Sequence, residues 1–189
     1  MILVSACLLG HKVKYNGGSN DDSLLQAYNV QGRFVAVCPE CFAMLPVPRA
    51  PMEIQYGTGR KLIEGRARAV DADGHDLTAS LLLGAQKILR IAEAYHAEVA
   101  ILKDGSPSCG VHRIYDGTFS GRKIRGAGAA TELLRQHGLP GFCRLGEGGV
   151  AGVYGRKQCL RAFAEGLGYA IERAHLMERL RSQADEVTS

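Results

Sequence analysis

Three cysteines of this 189-residue chain follow short apolar segments in the sequence. Cys7 follows the run Ile-Leu-Val-Ser-Ala, Cys38 follows Phe-Val-Ala-Val, and Cys109 lies in the segment SPSCG after the run Val-Ala-Ile-Leu. Apolar runs of this length that stop at glycine or proline are typical of buried strands that enter tight loops. Pro107 restricts the backbone ahead of Cys109, and the glycines on either side permit conformations that a side chain would forbid. The sequence therefore predicts three strand ends, each carrying one thiol.

Three thiolates at strand ends predict a metal centre with one open position, because thiolate is a soft ligand. A structural zinc usually takes a fourth protein ligand, whereas an iron–sulfur cluster held by three thiolates leaves one iron free. The chain has six cysteines, and in a reducing compartment such a set favours metal binding or catalysis over disulfides. Cys143 and Cys159 are interpreted as buried free thiols, because free cysteine is among the most buried residue types.

Cys41 forms a Cys-x-x-Cys pair with Cys38. Such a pair is typical of redox proteins when it opens a helix directly after a strand. Pro39 permits a helix to begin there, but the prolines at 46, 48 and 51 limit it to one or two turns. Two interpretations of Cys41 therefore stay open: a redox partner of Cys38, or an adventitious fourth metal ligand.

Glu40 and Ser106 are polar side chains close in sequence to the predicted ligands. A carboxylate two residues from Cys38 suits general acid–base catalysis, and Ser106 or Ser108 suits a hydrogen bond to a substrate or to sulfide. Structural alternatives stand beside these roles. Glu40 would then pair with Arg49 or cap a turn, and the serines would only shape their loop.

Strands and helices alternate along most of the chain. Apolar spacing predicts strands at 2–6, 34–37, 98–102 and 139–143, and helices at 79–96 and 126–137. Residues 20–23 are N-cap candidates for a short helix that runs through about Tyr28. This alternation is the pattern of a parallel α/β sheet, in which ligands bind at the carboxyl ends of the strands. All three singled-out cysteines lie on that edge, so the predicted fold and the predicted chemistry agree.

The connecting segments carry weaker patterns. Residues 55–70 predict a small hairpin or an irregular excursion, and residues 111–121 a two-stranded or turn-rich flap. Thr78 is the N-cap candidate of the long helix. Residues 146–155 are predicted to be a glycine-rich linker, followed by an apolar stripe at helical spacing. We therefore predict an α/β domain over 1–145, and over 146–189 a linker and a C-terminal helix that packs on the sheet or joins two copies as a homodimer.

Composition narrows the class of partner. The net charge of +4 is small and scattered, which argues against nucleic acid. No apolar run approaches the ~20 residues of a membrane span, so no membrane partner is expected. The first residues lack the basic region of a signal peptide, which predicts a cytoplasmic location.

Several motifs in chain order resemble one bacterial family, long described only as a domain of unknown function, whose characterised members are thiouracil desulfidases. The matching segments are SACLLG at 5–10, YNGG at 15–18, VCPE at 37–40, LPVPRAPME at 45–53, LKxxSPSCG at 102–110, IYDGTFSG at 114–121 and GxG at 126–128. The resemblance covers roughly residues 1–143, and the shared order of several motifs makes it specific.

The resemblance implies a compact, Rossmann-like, three-layer α/β domain that holds a 4Fe-4S cluster on Cys7, Cys38 and Cys109, with the fourth iron open. In that family the open iron takes the thiocarbonyl sulfur of a thiolated pyrimidine, and water replaces the sulfur to give uracil and sulfide. It also implies Glu40 as an acid–base residue and Ser106 as a substrate-orienting residue. The expected function is thus a non-redox desulfidase that acts hydrolytically on a small thiolated compound such as 2-thiouracil.

The chain departs from the family pattern beside the predicted site. The family usually carries two glycines between Cys-Pro-Glu and Leu-Pro, whereas Ala43 and Met44 stand here and Cys41 is an addition. Because this segment is expected to line the site, the departure predicts a change in pocket size and substrate.

Two other functions stay open at this point. A sulfur carrier or transfer protein would use the open iron to deliver sulfide to a partner, and its activity would be absent with free thiouracil. A non-catalytic zinc or other metal-binding domain would never hold iron, and would contain stoichiometric zinc without visible absorbance.

Overall fold

The computed structural model describes residues 1–29, 32–139, 141–146 and 149–154. The elements in chain order are β1 (Ile2–Ser5), α1 (Ser23–Asn29), β2 (Phe34–Val37), α2 (Pro39–Phe42), β3 (Met52–Gln55), α3 (Gly59–Ile63), β4 (Arg68–Asp71), α4 (Thr78–Ala94), β5 (Val99–Lys103), β6 (Arg113–Tyr115), β7 (Lys123–Arg125), α5 (Ala129–Gln136), β8 (Gly141–Gly146) and β9 (Gly149–Tyr154). Within these ranges, no helix combines the length and the apolar character that crossing a membrane requires.

A five-stranded sheet in the order β2–β1–β5–β8–β9 lies at the centre of the fold. Its first four strands are parallel, and β9 runs antiparallel to β8 at one edge. Two smaller antiparallel pairs, β3 with β4 and β6 with β7, lie outside this sheet. The predicted α/β class with a small parallel sheet is confirmed, while the predicted C-terminal helix lies outside the described residues.

Successive residues of the central strands are buried on opposite faces of the sheet. Ile2 and Val4 of β1 pack with Leu25 of α1 on one face. Leu3, which stands between them, belongs to a second cluster with residues of α4 and α5, such as Ile88. Side chains alternate along a strand, so a sheet covered on both faces requires continuous apolar runs. Helices on both faces give the domain its three layers.

The predicted start of the long helix is off by one position. Leu77, and not Thr78, occupies the N-cap of α4. The hydroxyl of Thr78 instead accepts a hydrogen bond of 3.0 Å from the amide of Ala69 in β4. A contact with a neighbouring strand therefore replaces the local capping bond that the sequence pattern predicted.

The connections outside the central sheet differ more from the sequence-based predictions than the sheet itself does. The small hairpin or irregular excursion predicted over 55–70 is not a tight hairpin, because it contains α3. Its β4 pairs with β3, which lies almost entirely ahead of the predicted segment. The flap predicted over 111–121 contains β6, but its pairing partner β7 (Lys123–Arg125) lies beyond the predicted bounds. The predicted linker is wrong where β9 pairs with β8, because Gly149 and Gly152 carry no side chains and hide the alternation of a strand. The domain boundary at residue 145 stays a prediction.

The loop after β5 is held by a single carboxylate. Asp104 Oδ1 accepts hydrogen bonds, each 3.0 Å long, from the amides of Val111, His112 and Arg113. Burial alone raises the pKa of the Asp104 carboxyl, but these amides outweigh burial and hold the pKa below its usual value. The far side of the loop that carries Cys109 is thus tied back to the end of its own strand.

Two glycines let helices approach the cysteine loops backbone to backbone. A Cβ at Gly84 of α4 would lie 2.2 Å from the carbonyl oxygen of Pro39, the residue that follows Cys38 in the sequence. A Cβ at Gly128, just ahead of α5, would lie 2.6 Å from the carbonyl carbon of Ser108. Real side chains do not come so close, so helix packing and the positions of these loops depend on each other.

The contact at Gly84 predicts a cost for any side chain there. Gly84→Ala is expected to lower the free energy of unfolding by about 1–3 kcal/mol, because α4 or the Pro39 segment must move. Urea unfolding followed by circular dichroism measures this. Gln86→Ala, an exposed change on the same helix, serves as the control and should stay within about 0.5 kcal/mol of wild type. A Gly84→Ala variant as stable as wild type would contradict the close approach of α4 to the Pro39 segment.

The Asp104 carboxylate predicts a pH-dependent loss of stability. Because folding lowers its pKa, its charge stabilises the fold above the unfolded value of about 3.9, and that contribution is lost as pH falls through the folded pKa. Asp104→Asn should therefore be less stable than wild type at pH 7, by about 1–3 kcal/mol, and the difference should shrink below about pH 4. Thermal unfolding measured across this pH range tests the prediction, with the exposed Asp73→Asn variant as the control. A stability difference between wild type and Asp104→Asn that does not change with pH would contradict it.

Candidate metal centre

The strand order brings the three predicted ligand cysteines to one edge of the sheet. Cys7 lies in a 3₁₀ turn after β1, Cys38 caps α2 after β2, and Cys109 lies on the loop after β5. All three are free thiols; Cys109 is buried and the other two are half-buried. Both Cys38 and Cys7 lie close enough to Cys109 to disfavour its ionisation. Residues distant in the sequence thus form one group of thiols.

Cys7 and Cys109 are held in place by their own backbone groups. The carbonyl of Cys7 accepts a 2.9 Å hydrogen bond from the amide of Asn20, whose side-chain nitrogen lies 3.6 Å from the Cys7 sulfur. The amide of Cys109 donates to Ser106 Oγ at 3.1 Å, and its carbonyl accepts a 2.8 Å bond from the hydroxyl of Thr131. These hydrogen bonds hold the turns from which the two thiols project.

Burial raises the pKa of all three thiols. Burial, reinforced by the nearby Glu40 and Cys41, raises the pKa of Cys38 to about 12. Burial and then the neighbouring Cys38 raise the pKa of Cys109, and burial likewise raises the pKa of Cys7. In the metal-free protein these groups are protonated thiols at neutral pH, and a metal must displace their protons to bind.

Thiolate ligands suit both zinc and iron–sulfur centres. A structural zinc takes a fourth protein ligand, whereas an iron–sulfur cluster contains several metal ions and can bind three thiolates, each through a different ion. Among the described residues, Asp71, Asp73 and His75 form a separate set of candidate ligands, whose ligand atoms all lie within 4.8 Å of one another.

Glu40 is held by both of its carboxylate oxygens. Oε2 pairs with the guanidinium of Arg49, whose Nε lies 2.9 Å away. Oε1 accepts a hydrogen bond of 2.7 Å from the hydroxyl of Ser108, a residue that is 1% exposed. The pairing with Arg49, one of the alternatives that the sequence left open, is therefore present. It leaves Oε1 facing the loop of Cys109.

Ser106 shapes its loop and also reaches Glu40 through Ser108. Its Oγ accepts hydrogen bonds of 3.1 Å from the amides of Ser108 and Cys109, and lies 2.8 Å from Ser108 Oγ. A hydroxyl has one proton, and Ser108 donates its own to Glu40, so Ser106 is the donor to Ser108. The sequence offered Ser108 only as an alternative to Ser106. No local signal separates them, because the two flank the same proline.

Lys103 is a residue of the site that the sequence pattern did not single out. Its ammonium group donates to the carbonyl of Asp104 at 2.6 Å, and its amide donates to Ser5 Oγ at 3.0 Å. Burial lowers the pKa of Lys103, and the neighbouring Cys7 opposes this effect. A cation beside thiolates offsets part of their negative charge. The sequence signal that could have identified Lys103 is its position at the end of a buried parallel strand, where ligands bind in such sheets.

The departures from the family pattern lie at the end of α2. The Cys41 thiol lies near that of Cys38 and contributes to the raised pKa of Cys38. Both interpretations of Cys41 stay predictions. Met44 adopts a left-handed backbone with φ of 62°, a conformation that favours glycine, and its side chain is 84% exposed. A methionine that extends into solvent occupies a glycine-like position without filling the interior.

Comparisons with known proteins place the chain in a family. Residues 2–143 match the family described as 2-thiouracil desulfurase. The Bacillus subtilis (strain 168) protein YbbK, itself uncharacterised, is 43% identical over 138 residues, which make up 73% of this chain and 91% of YbbK. The solved structure of the 4Fe-4S-dependent thiouracil desulfidase TudS is 42% identical with a TM-score of 0.65, and the match covers 73% of this chain and 86% of TudS. The matched family segment contains all three thiols and Glu40, and this chain belongs to the 2-thiouracil desulfurase family.

Proposed function

We propose that this protein holds a 4Fe-4S cluster on Cys7, Cys38 and Cys109 and removes sulfur from a small thiolated compound such as 2-thiouracil. The observation that carries the proposal is the group of three free thiols from separate strand ends, in which Cys7 and Cys38 lie close enough to Cys109 to disfavour its ionisation. Membership of the 2-thiouracil desulfurase family and the likeness to a 4Fe-4S-dependent desulfidase support it.

The donor set fits such a cluster in number and chemistry. Held by three thiolates, a 4Fe-4S cluster supplies one iron without a protein ligand, which is a soft Lewis acid for sulfur. Lys103 places a positive charge beside Cys7 and favours the thiolate form that ligation requires. Burial of Cys109 keeps water away from one side of the centre.

The reaction we propose exchanges sulfur for oxygen. A thiocarbonyl and water give a carbonyl and hydrogen sulfide, so no electrons are gained or lost. Both protons of the attacking water must leave its oxygen and reach the departing sulfur. Glu40 serves both steps through Oε1, since Arg49 occupies Oε2. The role of Ser106 in orienting the substrate requires its hydrogen bond to Ser108 to open when the substrate binds, because that bond uses the only proton of the Ser106 hydroxyl.

The unit we propose as catalytic spans residues 1–145, with residues 146–189 appended to it. Its partner is the small thiolated substrate; neither nucleic acid nor a membrane is part of the proposal. A homodimer through the C-terminal helix stays a prediction, because residues 155–189 lie outside the described part of the chain. A cytoplasmic location likewise stays a prediction.

Substitution of single cysteines tests the ligand set. We expect anaerobically purified wild type to contain about four irons and equivalent acid-labile sulfide, as a 4Fe-4S cluster does. Cys7→Ser, Cys38→Ser and Cys109→Ser should each lose most of this iron, because each removes one thiolate. Cys41→Ser is the matched control at the same site and should keep it. Stoichiometric zinc with no iron in wild type would favour the metal-binding domain, and full iron in Cys109→Ser would remove that residue from the ligand set.

Glu40→Gln tests the acid–base role. Glutamine keeps the shape of the side chain but does not accept the reaction's proton, so we expect full iron content and a loss on the order of 100-fold in sulfide release from 2-thiouracil. Glu64→Gln, an exposed change of the same kind, should leave both unchanged. Wild-type turnover in Glu40→Gln would show the assigned role to be wrong. Iron without sulfide release in wild type would instead favour the sulfur carrier.

A further inference from the structure

Arg49 is a nearly buried cation that joins two loops of the site. Its side chain is 8% exposed. Its Nη1 donates to the carbonyl of Pro46 and its Nη2 to that of Val13, both at 3.0 Å, while its backbone amide donates to the carbonyl of Tyr15 at 2.7 Å. Nε and Nη2 also donate to Glu40 Oε2. One side chain therefore connects the loop that follows β1 with the segment that follows β2.

The hydrogen bonds continue from Glu40 into the third loop. Glu40 Oε1 accepts the bond of 2.7 Å from Ser108, and Ser108 lies 2.8 Å from Ser106. Ser106 Oγ in turn accepts a hydrogen bond of 3.1 Å from the amide of Cys109. An unbroken path of hydrogen bonds thus runs from Arg49, through the carboxylate, to the backbone of Cys109.

The two ends of this path fix the Glu40 carboxylate. A guanidinium is planar and donates in fixed directions, so two bonds to Oε2 restrict rotation of the carboxylate. The bond from Ser108 restricts it from the other side. We propose, on the basis of the desulfidase function above, that Arg49 and Ser108 are positioning residues: they hold Glu40 so that Oε1 is the oxygen that moves the protons of the reaction.

A purely structural role for Arg49 makes different predictions. If Arg49 served only to tie loops together, loss of its bonds to Pro46 and Val13 would be the damage, and any replacement would do equal harm. A lysine places one cation near Oε2 but has no planar fork to reach both carbonyls as well. Recovery of activity by lysine therefore separates positioning of Glu40 from loop bridging.

The experiment compares variants of the full-length, anaerobically reconstituted protein, with 2-thiouracil as the substrate. The variants are Arg49→Gln, Arg49→Lys, Ser108→Ala, Glu40→Gln and the double variant Glu40→Gln/Arg49→Gln, with the exposed Arg66→Gln as the matched control. Iron content, acid-labile sulfide and visible absorbance report on the cluster independently of activity. Initial rates of sulfide release give kcat and KM.

We expect Arg49→Gln to keep its iron, to lose roughly 10- to 100-fold in kcat and to change KM by less than about threefold. Arg49→Lys should recover a substantial part of kcat, and Ser108→Ala should lower kcat with iron retained. The double variant should be no slower than Glu40→Gln alone, because Arg49 acts through that carboxylate. Arg66→Gln should match wild type.

Other outcomes would overturn the inference. Equal loss in Arg49→Lys and Arg49→Gln, or additive losses in the double variant, would assign Arg49 to loop bridging. If Arg49→Gln fails to hold iron, Ser108→Ala decides: wild-type kcat with full iron there overturns the positioning of Glu40. Wild-type protein that carries iron but releases no sulfide from 2-thiouracil overturns the proposed function itself, which is a different result from an active wild type with an unaffected Arg49→Gln.

Discussion

Parallel pairing of β1 with both β2 and β5 is the constraint on which the site depends. Ile2 is in register with Phe34 on one side and with Val99 on the other, so the three strands end together. The strand order reverses between β1 and β5, and at such a switch point the loops diverge and leave a crevice. Cys7 and Cys109 follow the two strands that border this crevice. The thiols meet because the sheet requires their strands to be neighbours.

Core packing and site geometry use the same contacts. The helix α4 approaches the Cys38 loop at Gly84, and α5 approaches the Cys109 loop at Gly128, in both cases backbone to backbone. The first amides of α5 donate to loop carbonyls, including that of Pro107 at 2.9 Å. Helix amides that bind loop carbonyls are already satisfied, so this helix start serves to fix the loop. A change in the helical layer is therefore transmitted to the cysteines.

The site contains a pair of opposite charges and a further cation. Glu40 faces Arg49 at one end of the centre, and Lys103 lies beside Cys7 at another. Buried ionic groups are costly unless they are paired and hydrogen-bonded, and the contacts of Glu40 and Arg49 meet both conditions. Paired charges of this kind orient a functional group more than they stabilise a fold. The fold stabilises itself through its two apolar clusters.

Sequence patterns alone predict the α/β class, the places of β1, β2 and β5, and the three thiols as one candidate set, because buried strands leave apolar runs that end at glycine or proline. They miss β9, whose glycines hide its period, and the role of Thr78, which bonds to a neighbouring strand. The contact of Ser108 with Glu40 and the position of Lys103 beside Cys7 are visible only in the folded chain. Ser108 and Glu40 are 68 positions apart in the sequence, and no local pattern specifies which distant side chains will be in contact.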